Sequence, residues 1–129
     1  MKKINIFLVT ILFLFLCGCN YDKEVIIAQR EVYDVNFGSI SETWTIYFKD
    51  GYVDSMIREM VFESKEDAAR LYDILTDTYK EYPQYNFTMD NNRILYNVDR
   101  TPWIHYNYKE MCQSIDGLLG WTVVEDDQS

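Results

Sequence analysis

The order of patterned segments along the chain predicts an α+β protein: an antiparallel sheet of two hairpins plus flanking strands, with two helices packed on one face. Two turn dipeptides, Asp50-Gly51 and Asn91-Asn92, each lie between runs in which apolar and polar residues alternate. A stretch whose apolar residues recur at helical spacing separates these two predicted hairpins. Because strands joined by short turns pair antiparallel, the helices are expected to cover the sheet and not to link parallel strands.

The first strand is predicted over the alternating residues 31–37, after an apolar start at Val25. Tyr33, Val35 and Phe37 would lie on one face of this strand. The residues 38–41, Gly-Ser-Ile-Ser, are expected to end the strand because glycine and serine favour turns.

The dipeptide Asp50-Gly51 predicts the register of the next hairpin, because it suits a type I′ turn in which both central residues have positive φ. Pairing outward from this turn, the expected partners are Phe48 with Val53, Ile46 with Ser55, and Trp44 with Ile57. These six residues would form one mostly apolar face, and the other face would carry Thr43, Thr45, Tyr47, Asp54, Met56 and Arg58. Met56 and Met60 are then either an adaptable contact surface or buried beneath another strand. The strand is expected to end near Phe62 or Glu63.

A helix is predicted from Ser64 to the residue before Pro83. Ser64 can accept a hydrogen bond from the amide three residues on, and the carboxylates of Glu66 and Asp67 suit the positive end of the helix dipole. Proline ends the helix because the residue before it is disfavoured in the α conformation. The face toward the sheet would consist of Ala68, Leu71, Tyr72, Leu75, Tyr79 and Tyr82.

The second hairpin and the last third of the chain complete the predicted order. The Asn91-Asn92 turn sets Met89 opposite Ile94, Phe87 opposite Tyr96 and Tyr85 opposite Val98. After a break at Thr101-Pro102, residues 103–108 are expected to form an aromatic loop or an irregular strand. A short helix is predicted from Asn107 to Leu119, with Gly120 as a left-handed cap. A short strand at 121–124 and an acidic tail would follow.

The beginning of the chain has the features of a secretory signal peptide. Lys2 and Lys3 precede an apolar run from Ile4 to Leu16, and Leu16-Cys17-Gly18-Cys19 closes it. This ending closely resembles the lipobox of bacterial lipoproteins. The resemblance implies that a diacylglyceryl group is attached to Cys19 and that the chain is cut just before it.

Such processing would divide the chain into a lipoprotein signal peptide at residues 1–18, a tether at 19–24 and a single α+β domain at 25–129. The protein is then expected on the extracytoplasmic side of the cell membrane, anchored by its lipid. Two alternatives are an ordinary cleaved signal peptide and a retained transmembrane helix. The apolar part, from Ile4 to Cys19, has about 16 residues, fewer than the roughly 20 that a bilayer core requires.

The overall layout resembles that of the small YehR-like lipoproteins. The resemblance covers the lipobox, the hairpin with the Asp50-Gly51 turn, and the FESKEDAARLYDIL stretch at 62–75. It implies a small α+β domain at the cell envelope. It implies no catalytic residues, because none are assigned in that family.

The charge of the chain limits its partners. The 21 acidic and 12 basic residues give a net charge of −9, and loss of Lys2 and Lys3 with the signal peptide would make it −11. Such a field repels phosphate backbones, so nucleic acid is not an expected partner. Anionic lipid headgroups are repelled too, so attachment to the membrane must come from the lipid on Cys19.

The residue types that perform catalysis are too few to predict an enzyme. His105 is the only histidine, and the nearby acidic residues Glu110 and Asp116 would raise the pKa of a Cys112 thiol, which opposes a nucleophilic role. His105 and Cys112 alone are too few ligands for a zinc site. The sequence also contains no phosphate-binding glycine loop. We therefore expect no catalytic residues, no metal site and no cofactor.

One aromatic segment is a candidate for ligand binding. Trp103, His105, Tyr106 and Tyr108 lie within six residues, and flat rings beside polar donors suit a sugar or a peptide. The alternative is that these rings close the core beneath a loop. Two functional hypotheses follow: a non-enzymatic cell-envelope lipoprotein that binds a protein partner or maintains the envelope, and a small-molecule or glycan-binding module that uses the aromatic segment.

Overall fold

The computed structural model describes residues 24–124, so the lipobox, most of the tether and the acidic tail lie outside the described residues. The elements are β1 (Val25–Asp34), β2 (Gly38–Lys49), β3 (Tyr52–Phe62), α1 (Lys65–Thr78), β4 (Phe87–Asp90), β5 (Arg93–Asn97), a short 3-10 helix (Thr101–Trp103), α2 (Tyr108–Asp116) and β6 (Thr122–Val123). The strands form one antiparallel sheet in the order β4-β5-β3-β2-β1-β6. The predicted α+β class is confirmed.

The first strand ends earlier than the sequence predicts. The carboxylate of Asp34 accepts hydrogen bonds from the amides of Asn36 and Phe37, at 2.7 and 3.2 Å, and this bonding starts a turn. Gly38, with φ +77°, completes the turn and begins β2. The predicted interruption at 38–41 is therefore wrong, because these residues already pair with β1.

A β-bulge changes the register of the hairpin with the Asp50-Gly51 turn. Asp50 and Gly51 have φ values of 55° and 87°, which confirms the type I′ turn, and Phe48 pairs with Val53 as predicted. Asp54 is then the extra residue on β3, because Tyr47 pairs with Ser55. The expected pairs of Ile46 with Ser55 and Trp44 with Ile57 are wrong; the observed pairs are Ile46 with Met56 and Trp44 with Arg58.

The bulge also exchanges the two faces of β3 beyond residue 54. Met56 and Met60 are buried in the core, and so the contact-surface hypothesis for them is wrong. Ser55 is exposed where an inward position was expected. The strand ends at Phe62, within the predicted range.

The first helix starts as predicted and ends early. The hydroxyl of Ser64 accepts a hydrogen bond from the amide of Asp67 at 3.1 Å. The helix ends at Thr78, because Tyr79 leaves the helical conformation with φ −106° and ψ 20°. The expected extension to the residue before Pro83 is wrong: Tyr82 donates to the Tyr79 carbonyl at 2.9 Å, which turns the chain toward β4.

The second hairpin forms at the predicted turn, where Asn91 has φ 61°. The pairs of Phe87 with Tyr96 and of Met89 with Ile94 are confirmed. The pair of Tyr85 with Val98 is not formed. The Val98 amide donates instead to the Met56 carbonyl of β3 at 2.9 Å, and β4 begins only at Phe87.

The last helix and strand are shorter than expected. Asn107 begins α2 as predicted, but the helix ends at Asp116 instead of Leu119. Gly120 has the expected positive φ, +82°, in the turn that leads to β6. The predicted strand at 121–124 is present as the two residues Thr122–Val123, which pair with the middle of β1.

Both helices cover the same face of the sheet, which we call the helix side. Ala28, Trp44, Arg58 and Tyr96 are aligned across four strands on this side. Under α2 lies the first core cluster, formed by Ile26, Ala28, Trp44, Ile46, Phe48, Val53, Met56, Met111, Ile115 and Trp121. Under α1 lies the second, formed by Ile40, Met60, Phe62, Ala68, Phe87 and Ile94.

Candidate functional site

Two successive tight turns shape the aromatic segment 103–108. The Trp103 amide donates to the Arg100 carbonyl at 2.8 Å, and the Tyr106 amide donates to the Trp103 carbonyl at 2.9 Å. The carboxylate of Asp99 accepts a hydrogen bond from the Thr101 amide at 2.9 Å. Its hydrogen bonds with Thr101 lower the pKa of Asp99, so this carboxyl stays ionised at the start of the segment.

The rings of this segment contact the first core cluster. Trp103 meets Trp44 edge to face, with ring centroids 5.6 Å apart, and Tyr108 lies at 5.6 Å from Phe48. Tyr106 is half-buried against the same cluster, whereas His105 is exposed. The structure therefore brings Trp103, Tyr106 and Tyr108 to the edge of the core and leaves His105 outside it. That these four residues bind a ligand stays a prediction.

The segment is also fixed by its backbone. The Tyr106 carbonyl accepts a hydrogen bond from the Val53 amide at 3.1 Å, and Asn107 bridges to Tyr52. The Asn107 side chain accepts from the Glu110 amide, and the Glu110 side chain accepts from the Asn107 amide, so a reciprocal cap starts α2. The segment is thus held between the Asp50-Gly51 end of the sheet and the start of α2.

Cys112 follows on α2 and is half-buried against the first core cluster. Its neighbours on the helix, Met111 and Ile115, are fully buried in that cluster. Cys112 therefore lies at the edge of this cluster, less buried than either neighbour.

A charged and aromatic seam crosses the helix side between the two core clusters. The Arg58 guanidinium lies 5.0 Å from the Trp44 ring and 5.0 Å from the Trp121 ring. The Arg30 guanidinium, on β1, lies 4.9 Å from the Trp121 ring. These separations are within the range of cation–π attraction, so the two indoles hold both guanidinium groups.

The negative charge in this seam belongs to Glu42, which is only 7% exposed. Its carboxylate accepts a hydrogen bond from Arg30 Nε at 2.6 Å. Arg58 Nη1 lies 3.4 Å from the Tyr96 hydroxyl, and burial raises the pKa of Tyr96. The seam thus contains two guanidinium groups and one carboxylate. Within residues 24–124, Arg58 Nε and Trp44 Nε1 have no hydrogen-bond partner.

The sequence contained a signal for this seam that was missed. Along β2, Glu42 falls at one of the alternate positions whose side chains are on the helix side, with Ile40, Trp44, Ile46 and Phe48. A carboxylate at a core-facing position of a strand predicts a cation beside it, because buried charges are paired. Arg58 could not be placed there without knowledge of the bulge.

The other face of the sheet is not covered by the helices, and we call it the open face. Its centre consists of half-buried apolar side chains, namely Ile27, Ile57, Val61 and Leu95. Charged groups of this face already have partners within it. Arg93 Nη1 lies 2.7 Å from a Glu59 carboxylate oxygen, and Glu31 accepts a hydrogen bond from the Ser41 hydroxyl at 2.9 Å.

One cavity of about 390 Å³ adjoins the aromatic segment. Asp54, Gln84, Asp99 and Ile104 are among the residues that line it. A second depression, of about 400 Å³, is lined by Tyr106 with Glu110, Gln113 and Ser114. The Arg100 guanidinium also lines the first cavity, beside these two carboxylates, whereas Glu110 is the one charged residue among the described residues that line the second.

Within residues 24–124, no group of three or more histidine, cysteine, aspartate or glutamate side chains is arranged to hold a metal ion. In the same part of the chain, no helix is long and apolar enough to cross a membrane. The predicted lipid-attachment residue, Cys19, lies outside the described residues.

Comparison with protein-family models, with curated proteins and with solved structures found no match to this chain.

Proposed function

We propose that the protein is a lipid-anchored cell-envelope lipoprotein, similar in layout to the YehR-like type, whose domain binds a protein partner and catalyses no reaction. The Leu16-Cys17-Gly18-Cys19 ending of the signal peptide carries this proposal. A diacylglyceryl group provides two acyl chains, which is the number that stable anchoring requires. The first strand begins at Val25, so the folded domain follows the acylated residue closely.

The open face supports a protein as the partner. Its apolar centre, formed by Ile27, Ile57, Val61 and Leu95, resembles the core of a protein–protein interface, which is depleted in charged residues. The Glu59–Arg93 ion pair at 2.7 Å lies beside this centre and leaves little uncompensated charge to attract a small ion.

The positions of the candidate catalytic residues support a non-enzymatic role. His105 is exposed, whereas Cys112 is half-buried against the first core cluster. Glu110 and Asp116, near Cys112 in the sequence, would oppose formation of the thiolate that a nucleophile requires. The glycan-binding alternative gains no specific support, because Trp103 and Tyr108 use their rings in contacts with Trp44 and Phe48.

The anchor is tested by lipid labelling. We expect Cys19→Ala to abolish labelling with radioactive palmitate and to move the protein out of the membrane fraction. Cys17→Ala is the matched control, because this cysteine lies in the same segment but would be removed with the signal peptide. Unchanged labelling of the Cys19→Ala protein would contradict the proposal.

The partner-binding surface is tested by crosslinking in intact cells. A photo-crosslinking amino acid at Leu95, at the centre of the open face, should give one discrete adduct with another protein. The matched control carries the same amino acid at Ile74, an apolar residue on α1 that is 50% exposed. Adducts of equal yield from both positions, or none from Leu95, would show that the open face is not the binding surface.

A further inference from the structure

Three tyrosines surround one cavity at the end of α1. Tyr79, Tyr82 and Tyr85 line a space of about 420 Å³ together with Thr78 and Gln84, and we call it the tyrosine cavity. The ring centroids of Tyr79 and Tyr85 are 4.8 Å apart. Tyr82 lies 6.2 and 6.4 Å from them, at interplanar angles of 65° and 79°. Tyr82 is thus nearly perpendicular to the other two rings, and the cavity has aromatic walls in different directions.

The local backbone explains how three tyrosines meet at one point. After α1 ends, the Tyr82 amide donates to the Tyr79 carbonyl and the Tyr85 amide donates to the Tyr82 carbonyl, both at 2.9 Å. Two consecutive turns of this kind bring every third residue to the same side. The Tyr79 ring also lies 5.7 Å from Phe87, which joins the group to the second core cluster.

The core does not use the whole of this aromatic surface. Tyr79 and Tyr85 are half-buried against the second core cluster, but Tyr82 is 51% exposed. The exposed part of Tyr82 forms a wall of the tyrosine cavity.

The electrostatics of the tyrosine cavity favour a cation. None of its five lining residues is charged, and the cavity lies beside the C-terminal end of α1, where the helix dipole is negative. The last turn of α1 contains no basic residue, and the ammonium of Lys80, which follows the helix, lies 3.5 Å from the Asp77 carboxylate. The faces of the tyrosine rings are also negative, because of their quadrupole. The net charge of −9 acts in the same direction.

The chemistry of the walls selects the kind of cation. A primary ammonium is strongly hydrated and needs hydrogen-bond acceptors, whereas a quaternary ammonium has no N–H group and binds to aromatic faces. The lining supplies three rings but no carboxylate that would compensate a primary ammonium for its lost hydration. We propose that the tyrosine cavity binds a quaternary ammonium group, either on a free choline-type solute or on a lipid headgroup.

The purified full-length chain in a non-ionic detergent tests this proposal. Choline is titrated while the ring resonances of labelled tyrosine are followed by NMR. Saturable shifts of Tyr79, Tyr82 and Tyr85 are expected. The uncharged isostere of choline, in which carbon replaces nitrogen, should bind at least about tenfold more weakly because it loses the cation–π attraction. Absence of saturation, or equal binding of the isostere, would overturn the proposal.

Substitutions of Tyr82 separate the ring from its hydroxyl. Tyr82→Leu should weaken choline binding by about tenfold or more, whereas Tyr82→Phe should retain it, since the ring face makes the contact. Tyr52→Leu is the matched control, because Tyr52 is also 51% exposed but lies at the Asp50-Gly51 turn. Equal loss of binding in the Tyr52→Leu protein would show that the effect is not specific to the tyrosine cavity and would overturn the proposal.

Vesicles distinguish the two sources of the ligand. If the ligand is a lipid headgroup, vesicles with trimethylammonium headgroups should shift the same tyrosine resonances, and vesicles with uncharged headgroups should not. If the ligand is a solute, only free choline should do so. A response to neither source contradicts the proposal. Because every variant retains Cys19, that result would leave the anchoring proposal unaffected.

Discussion

At the scale of single residues, Glu42 is the carboxylate on which the seam between the two core clusters depends. Its removal would leave the guanidinium groups of Arg30 and Arg58 beside Trp121 without the carboxylate that accepts a hydrogen bond from Arg30 Nε. Breaking a buried ion pair in this way costs about 3–5 kcal/mol when the remaining charge is fully buried. Because the Arg30 side chain is 28% exposed, water screens it in part.

We therefore expect Glu42→Gln to lower the free energy of unfolding by about 2–3 kcal/mol, as measured in urea. Glu59→Gln is the matched control. It removes a carboxylate that lies 2.7 Å from Arg93, but on the open face with both side chains partly exposed, so it should cost less than about 1 kcal/mol. Similar losses for the two variants would mean that the seam contributes no more than a surface ion pair.

At the scale of elements, the start of α1 depends on an ionised carboxylate. The hydrogen bond from Arg70 to the Asp67 carboxylate, at 2.7 Å, and a side-chain hydrogen bond with Ser64 lower the pKa of Asp67 below its ordinary value of 3.8. A carboxyl whose pKa is lower in the folded state stabilises the fold above its unfolded value, and this stabilisation is lost as the pH falls through the folded value. Arg70 also donates to the Asn36 carbonyl at 2.7 Å and so ties α1 to the β1–β2 turn.

Asp67→Asn should therefore lower the melting temperature at pH 7, and the difference from the unchanged protein should vanish well below pH 3.8, where both proteins are neutral at this position. Asp77→Asn, in the last turn of the same helix, should change the melting temperature little at either pH because its ion pair with Lys80 is exposed and 3.5 Å long. A difference for Asp67→Asn that persists in acid would assign the effect to side-chain shape instead of charge.

The same scale explains which parts of the fold could be predicted from the sequence. The Asp50-Gly51 turn, the Ser64 cap and the inner pairs of the second hairpin depend on residues close together in the chain, and they were predicted. The bulge at Asp54 depends on packing between strands, which alternation does not contain. Because the bulge was not predicted, the two faces of β3 were exchanged in the prediction and Arg58 was assigned to the wrong face. The tyrosines of the tyrosine cavity were visible at positions 79, 82 and 85, but Tyr79 and Tyr82 were assigned to a longer helix and Tyr85 to the second hairpin.

At the scale of the whole molecule, the two helices divide the helix side into two core clusters and leave the open face bare. The order of the segments in the sequence predicted both the α+β class and the placement of the two helices on one face of the sheet. The contacts of the aromatic segment did not, since its rings contact Trp44 and Phe48, residues more than fifty positions earlier in the chain. Contacts at that separation are specified by the packed fold and not by local pattern.

The direction of β1 determines which end of the domain an anchor would hold at the bilayer. The Glu24 carbonyl accepts a hydrogen bond from the Phe48 amide at 3.1 Å, so β1 enters the sheet at the Asp50-Gly51 end. The tether of six residues, 19–24, spans at most about 22 Å. With the lipid on Cys19, this end would rest close to the headgroups, and the Asn91-Asn92 end would point away from them. A protein that binds the open face must then reach down to the membrane surface, or be anchored in that membrane itself.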